Sequence, residues 1–247
     1  MNKIILFDLD ETIIEYGNKI DDEMIFHILH AKKLGYDLGV VSERTLDKIM
    51  SLSRNFTFSH IFSECGSTYH TYNGNNLKQI YQKNIKSHKI FGQINILIKI
   101  ALNFLSTVEY ELSGHLIDIR NGLIYISLIG LQANDLEKNN FIEQERKNKY
   151  IEKLLNILII AAEKNNILQD LFIGDCGRTG IVIYPKEWNK SQIIENLDKY
   201  ENIIYIGDKY KENENDYEIM NHPKVKGIKV NNVNDTKIIL QNIQNFI

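Results

Sequence analysis

Short apolar runs ending in acidic or small residues alternate with helical repeats along the first part of the chain. Lys3–Phe7 is apolar and runs straight into acidic residues, as a strand buried on both faces of a parallel sheet would. Met24, Ile25, Ile28 and Leu29 then recur on one helical face, with Asp21 and Asp22 in the first turn and Gly35 marking the end. Tyr36–Val41 reads as a second strand and Thr45–Leu52 as a second helix. That order predicts right-handed βαβ units and a parallel sheet.

The pattern changes in the middle of the chain. Tyr69–Tyr72 and Leu77–Tyr81 flank Asn73-Gly74, and Leu116–Arg120 and Leu123–Ser127 flank Asn121-Gly122, two hairpin signals. Ile90–Leu105 and Tyr150–Lys164 are helical by period, Glu137–Lys149 is a solvated helix face or loop, and Leu168–Gly174 and Gly180–Tyr184 are further strands. After Pro185 the first pattern returns. Ser191–Tyr200 predicts a helix, Ile203–Ile206 a strand, Asn215–Met220 a short helix and Lys226–Val230 a strand. A closing helix follows over Asn234–Phe246, capped by Asn234 or Asp235. The expected class is therefore α/β: an open parallel-sheet core, residues 1–80 and 187–247, interrupted by an α+β module over 81–186 with an antiparallel sheet and helices.

Composition narrows the function classes. The 247 residues carry 29 basic and 32 acidic side chains, a net charge of -3, which gives no electrostatic case for nucleic acid or an anionic membrane as partner. The longest greasy stretch, Leu154–Ala162, falls far short of the ~20 residues of a membrane span and predicts a buried helix segment. Two cysteines, Cys65 and Cys176, exclude a disulfide framework and read as small buried residues in a reducing, cytoplasmic setting. The opening MNKIILFDLDET is too short an apolar run, and too acidic, for a signal peptide.

The chemistry concentrates at predicted strand ends. Asp8 and Asp10 follow the first strand, with Thr12 close behind, and Asp208 and Asp216 follow the strand Ile203–Ile206. Open parallel sheets bind ligands beyond the carboxyl ends of their strands. If these two strands are neighbours the acids converge, and converging carboxylates repel unless a cation neutralises them. A hard divalent ion with oxygen ligands, Mg²⁺ above all, suits that set. Taken alone, Asp8 and Asp10 read more readily as turn or cap acids; with Asp208 the balance turns to the metal. Gly174, Gly177 and Gly180 fail as a dinucleotide fingerprint, because they do not follow a strand and open a helix.

At Phe7–Ile13, FDLDETI resembles the first signature of the haloacid dehalogenase (HAD) superfamily of phosphotransferases. Within it the chain is similar to the eukaryotic-type phosphomannomutases nearly end to end, through NIKSH (Asn84–His88), IRNGLIYISLIG (Ile119–Gly130), YPKEWNK (Tyr184–Lys190) and IGDKYKENENDYEI (Ile206–Ile219). The resemblance implies a HAD-like Rossmannoid core with an inserted cap. It implies Asp8 as the nucleophile that becomes an aspartyl-phosphate and Asp10 as general acid and base. Mg²⁺ would be held by Asp8, the backbone carbonyl of Asp10 and Asp208, with Asp216 nearby, and Lys190 would bind phosphate.

Several positions depart from the family. Glu11 stands where glycine is usual. The Gly-Gly-Ser type turn is replaced by Ser42-Glu43-Arg44-Thr45, closer to the Thr-Gly-Arg turn of related sugar-phosphate phosphatases; Ser42 still offers a hydroxyl and an N–H to phosphate. In the cap, Arg120 matches the first of the family's phosphate-gripping arginines. The next is Leu131 here, and a third aligns with Lys138. Gly180 and Val182 replace a sugar-contacting Ser and Asp, with Arg178 close by as a substitute. Three functions follow: a phosphomannomutase-like mutase interconverting hexose 1- and 6-phosphates, a sugar-phosphate phosphatase with a divergent cap, or a non-catalytic binding descendant. The expected partners are a sugar phosphate and a second copy of the chain, joined cap to cap.

Overall fold

A computed structural model describes residues 2–246. The chain divides into two compact units, Met1–Lys83 with Trp188–Ile247, and Asn84–Glu187. In chain order the elements begin β1 (Lys3–Phe7), α1 (Asp22–Lys33), β2 (Tyr36–Val41), α2 (Leu46–Leu52), β3 (His60–Ser63), β4 (Thr68–Asn73) and β5 (Asn76–Gln82). The second unit holds α3 (Phe91–Leu105), β6 (Ile117–Ile119), β7 (Ile124–Ser127), α4 (Asp135–Asn148), α5 (Tyr150–Lys164), β8 (Leu171–Cys176) and β9 (Gly180–Pro185). The chain then returns to the first unit with β10 (Asn202–Gly207), α6 (Tyr217–Met220), β11 (Val225–Lys229) and α7 (Val233–Gln241).

The first unit is built on a seven-stranded sheet of order β11-β10-β1-β2-β3-β4-β5. Strands β11 to β3 are parallel, and β4 and β5 extend the β3 edge as an antiparallel hairpin. That hairpin thus belongs to the core sheet, although its turn signal is local and carries no information about which sheet it joins. Central β1 is covered on both faces: Ile4, Ile5, Leu6 and Phe7 are fully buried, each worth roughly 1.5–3 kcal/mol of burial. Ile5 and Phe7 pack with Leu38, Val40, Ile204 and Ile206 against Met24, Ile28, Ile49 and Leu240 of the helices on one face. Ile4 and Leu6 pack on the other with Phe62, Ile193, Ile194, Tyr205 and Ile219. The register pairs Phe7 with both Val40 and Ile206, so the residues just after β1, β2 and β10 emerge side by side.

Helix ends follow local chemistry. Asp21 accepts a 2.6 Å hydrogen bond from the Met24 N–H to start α1, and Gly35, at φ +85°, ends it. The last helix is capped by Asn232, whose side chain accepts from the Asp235 N–H; Asn234 and Asp235 are first-turn residues instead. The helix expected over Ser191–Tyr200 is a 3₁₀ segment, Lys190–Asn196, capped by Asn189. Beyond it Tyr200 is held at the sheet by His60 and Asp37.

The second unit has a four-stranded antiparallel sheet of order β6-β7-β9-β8, with α3 and α5 packed together and α5 on β8 and β9. Buried Ile94, Leu97, Ile98, Ala101 and Leu105 repeat along α3 at helical spacing. The segment Leu154–Ala162 expected to be buried is helical but buried on one face: α5 buries Leu154, Leu158 and Ala162 and exposes Ile157 and Ile160, so it is amphipathic. The solvated Glu137–Lys149 stretch lies mostly within α4, which opens with an Asn134–Glu137 capping box and buries Phe141. Cys65 is buried, but Cys176 is half-buried. No helix among the described residues is long and apolar enough to cross a membrane.

Candidate active site

Adjacent parallel strands β1 and β10 deliver Asp8 and Asp208 to one edge of the core sheet. Asp8 continues the ladder by donating its N–H to the Ile206 carbonyl at 2.9 Å. Asp216 comes back to the same edge from the start of α6: its N–H donates to the Lys209 carbonyl at 3.0 Å, and its Oδ2 accepts from the Lys209 N–H at 3.2 Å. Gly207 permits that approach, since a Cβ there would lie 2.4 Å from Asp216 Oδ2. Lys190, fully buried, donates from Nζ to Oδ1 of Asp8 and Oδ1 of Asp216, both at 2.6 Å. Tyr205 donates to the same Asp216 oxygen at 2.5 Å, and Thr12 donates to Asp208 Oδ1 at 3.4 Å. Tyr205 is not among the residues that motifs pick out. Its signal is weaker: a tyrosine inside the aliphatic run of a buried strand, whose hydroxyl needs a partner.

The electrostatics of this cluster are those of acids forced together. Burial pushes the Asp8 carboxyl well above its ordinary range, Asp216 and Asp208 push the same way, and Lys190 opposes them. Burial, then Asp216, raises Asp208 to about 6. For Lys190, burial works against the charge, but Asp216 and Asp8 outweigh it, so the ammonium is held protonated above its usual range. Burial and Asp216 likewise keep Tyr205 a neutral donor. One oxygen each from Asp8, Asp208 and Asp216 lie within 4.8 Å of one another. With Lys190 charged, the ionised cluster retains two negative charges. Hard oxygen donors and that residual charge fit a divalent cation such as Mg²⁺.

Asp10 contributes no side-chain oxygen to this group; the resemblance assigns its backbone carbonyl to the metal. Its carboxylate is held by Arg44, through Nε to Oδ2 at 2.6 Å and Nη2 to Oδ1 at 2.8 Å. Ser42, at the end of β2, is buried; its N–H donates to the Phe62 carbonyl and its hydroxyl accepts from the Arg44 N–H at 3.2 Å. Glu43, between them, accepts from Asn215 at 2.6 Å and so ties this turn to the segment before α6. Glu11 sits at φ +56°, the left-handed region that glycine occupies without strain. The family's usual glycine at that position thus has a backbone explanation.

The cap candidates lie in the second unit. Arg120, in the turn between β6 and β7, donates from Nε to Asp118 at 2.7 Å, and its guanidinium lies 5.0 Å over the Tyr125 ring. Arg178 lies in the turn between β8 and β9. Lys138 is on α4, 3.7 Å from the fully exposed Asp135 side chain, a surface pair of small energetic weight. Leu131 is exposed, whereas Val182 is fully buried. At Gly180 a Cβ would lie 2.4 Å from the Tyr125 hydroxyl, so the glycine makes room for that ring. The Tyr125 hydroxyl in turn lies 3.2 Å from Thr179 Oγ1.

The family model of eukaryotic phosphomannomutase matches residues 26–246. Asp8 and Asp10 precede that span, but pairwise matches to curated proteins run further. A phosphomannomutase of Encephalitozoon cuniculi is 29% identical, covering 94% of this chain and 90% of the relative. Phosphomannomutase 1 of Dictyostelium discoideum is 30% identical, covering 98% of this chain and 96% of the relative. Among solved structures, an IMP-bound IMP-nucleotidase of Plasmodium falciparum superposes with a TM-score of 0.69 at 14% identity, covering 98% of this chain and 68% of the other. A trehalose-6-phosphate phosphatase related protein gives 0.54 at 15%, covering 99% and 98%. At those identities the structures speak to the fold.

Proposed function

The chain belongs to the eukaryotic phosphomannomutase family, and on that premise we propose that it interconverts mannose 1-phosphate and mannose 6-phosphate by way of a phosphoryl group carried on Asp8. The observation that supports this most is the buried Lys190 bridging Asp8, at the end of β1, and Asp216, at the start of α6. Lys190 fixes the Asp8 carboxylate and offsets the repulsion that an incoming phosphate meets there. With Asp8 phosphorylated, the 6-hydroxyl of mannose 1-phosphate gives its proton to Asp10 and bonds to phosphorus, and the bond to Asp8 breaks with its electrons returning to Asp8, leaving a hexose 1,6-bisphosphate. In the return step an Asp8 oxygen bonds to the phosphorus on the 1-oxygen, the bond from phosphorus to that sugar oxygen breaks, and Asp10 gives the oxygen its proton, releasing mannose 6-phosphate and restoring phosphorylated Asp8. Bound at Asp8, Asp208 and Asp216, Mg²⁺ would neutralise charge between carboxylate and phosphate. Ser42 offers its hydroxyl to the transferring phosphate. Arg120, with Arg178 and Lys138 as further cations, is assigned to the distal phosphate. Exposed Ile157 and Ile160 on α5 give the cap unit an apolar surface for a second copy.

A sugar-phosphate phosphatase is the second reading. Its support is the cap: Leu131 in place of an arginine, and Tyr125 filling the space beside Gly180. A purely binding role is opposed by the cluster itself, since a protein without chemistry has no physical need to gather three carboxylates around one lysine. The test is Asp8→Asn. It keeps shape and hydrogen bonding but is expected to abolish both product formation and acid-stable labelling of the protein by a labelled hexose 1,6-bisphosphate. A variant that still turns over would remove Asp8 from the nucleophile's role.

A further inference from the structure

The expected general acid and base is not free to act as it stands. Both oxygens of Asp10 are taken by one side chain, with Arg44 Nε on Oδ2 and Nη2 on Oδ1 in a fork-to-fork pair. The pair is partly shielded, each side chain being about a quarter exposed (22% for Arg44, 25% for Asp10). Arg44 is held from three further directions. Its backbone N–H donates to Ser42 Oγ, its carbonyl accepts from the Glu64 N–H at 3.1 Å, and its guanidinium lies 5.6 Å from the centroid of the Tyr16 ring. The backbone of the turn after β2 is therefore fixed, while the guanidinium, at the end of its flexible stem, is held by Asp10 and the Tyr16 ring.

We propose that Arg44 is a positioning residue that latches Asp10 and is drawn off it by the phosphate of an incoming sugar phosphate. A carboxylate clamped on both oxygens by the fork keeps its remaining lone pairs but cannot turn toward the reacting oxygen, so it is poorly placed to pass a proton to a leaving oxygen or take one from an attacking one. A phosphate ester dianion offers the guanidinium more charge and more acceptor oxygens than a carboxylate does, in the same bidentate geometry. Exchange of partners therefore frees Asp10 when the sugar phosphate arrives and returns it to Arg44 when the site empties.

The consequence concerns water, and it rests on the reading that Asp8 carries the phosphoryl group. Hydrolysis of that intermediate needs a water oxygen to attack phosphorus while its proton passes to Asp10. The bond from phosphorus to Asp8 breaks, its electrons return to Asp8, and inorganic phosphate leaves. With Asp10 latched the proton lacks a well-placed acceptor, so hydrolysis is slow and the phosphoryl group waits for a sugar hydroxyl. In this way Arg44 adds a barrier to hydrolysis in a chain whose cap lacks several of its family's polar residues.

The experiment uses the full chain with Mg²⁺ and a labelled acyl phosphate to load Asp8, followed by removal of the donor. Loss of label to water is then timed without sugar, in the unsubstituted chain and in Arg44→Ala and Arg44→Lys. The latch predicts that Arg44→Ala loses label at least about tenfold faster, a part of the 10²–10⁴ that a fully engaged general base typically supplies. Arg44→Lys, which offers a point charge without the fork, should fall between the two. Label retained as long or longer in Arg44→Ala overturns the latch and leaves Arg44 a plain phosphate ligand. A chain that takes no label at all overturns the latch and the Asp8 reading together, which separates the two failures. Equal circular dichroism of all three proteins secures the comparison, because a merely structural role would not order the decay rates by donor geometry.

Discussion

Replacing Lys190 with methionine keeps the length of the side chain and removes its charge from a fully buried position. Two contacts at 2.6 Å are lost, to Asp8 and to Asp216. At an effective dielectric of about 20 each carries roughly 6 kcal/mol of gross attraction, against several kcal/mol of desolvation for every buried ion. Removing one partner alone leaves the other charges stranded, and the expected net loss is about 3–5 kcal/mol. For a chain of this size each kcal/mol moves the midpoint by roughly 2–4 °C, so thermal unfolding in EDTA should show the core unit melting roughly 6–20 °C earlier. Added Mg²⁺ should stabilise Lys190→Met more than the unsubstituted chain, since the variant has one more negative charge to neutralise. A double-mutant cycle with Asp216→Asn should show coupling of about 1–3 kcal/mol. An unchanged midpoint, or strictly additive losses, would refute the bridging role given to Lys190.

Three further outcomes are expected. Glu11→Gly relieves a left-handed backbone that costs a side chain about 1–2 kcal/mol; after the glycine's own entropy cost, the midpoint in calorimetry should rise slightly, and a fall would mean that the glutamate's contacts outweigh the strain. Asp208, raised to about 6, binds its proton more tightly folded than unfolded, so without Mg²⁺ the core unit should lose stability as pH rises from about 4 through 6. Mg²⁺ affinity by calorimetric titration should rise over the same range, and a pH-independent affinity would contradict it. For Asp37, burial is outweighed by hydrogen bonds from His60, Ser59 and Tyr200, which depress its carboxyl well below the usual range. Its stabilisation is therefore complete above about pH 4 and lost as pH falls through the depressed value. Asp37→Asn should lower the midpoint at neutral pH, and the gap to the unsubstituted chain should close in acid; a constant gap would remove Asp37 as its source.

The parallel core was legible because its strands are buried on both faces and announce themselves as unbroken aliphatic runs, Lys3–Phe7 above all. The convergence of Asp8 and Asp208 followed from one further condition, that β1 and β10 be neighbours, which the register meets. Other features were closed to a linear reading. Nothing local tells the Asn73-Gly74 hairpin that it will pair with β3. The 3₁₀ form of Lys190–Asn196 and the Asn232 cap depend on which of several adjacent polar residues finds the open N–H groups. The Arg44–Asp10 fork joins residues 34 apart in sequence, and the Tyr205 hydroxyl matters because Asp216 returns beneath it. Gly180 likewise looks like a lost polar contact until the Tyr125 ring is seen in the space it leaves.

The most direct test of the central claim follows both products of one reaction. The chain is given Mg²⁺, mannose 1-phosphate and a catalytic amount of a hexose 1,6-bisphosphate, and mannose 6-phosphate and inorganic phosphate are measured together. Phosphoryl transfer between sugar positions through Asp8 predicts mannose 6-phosphate with little free phosphate, and neither product from Asp8→Asn. Phosphate release without isomerisation would contradict the mutase and assign the same site to hydrolysis.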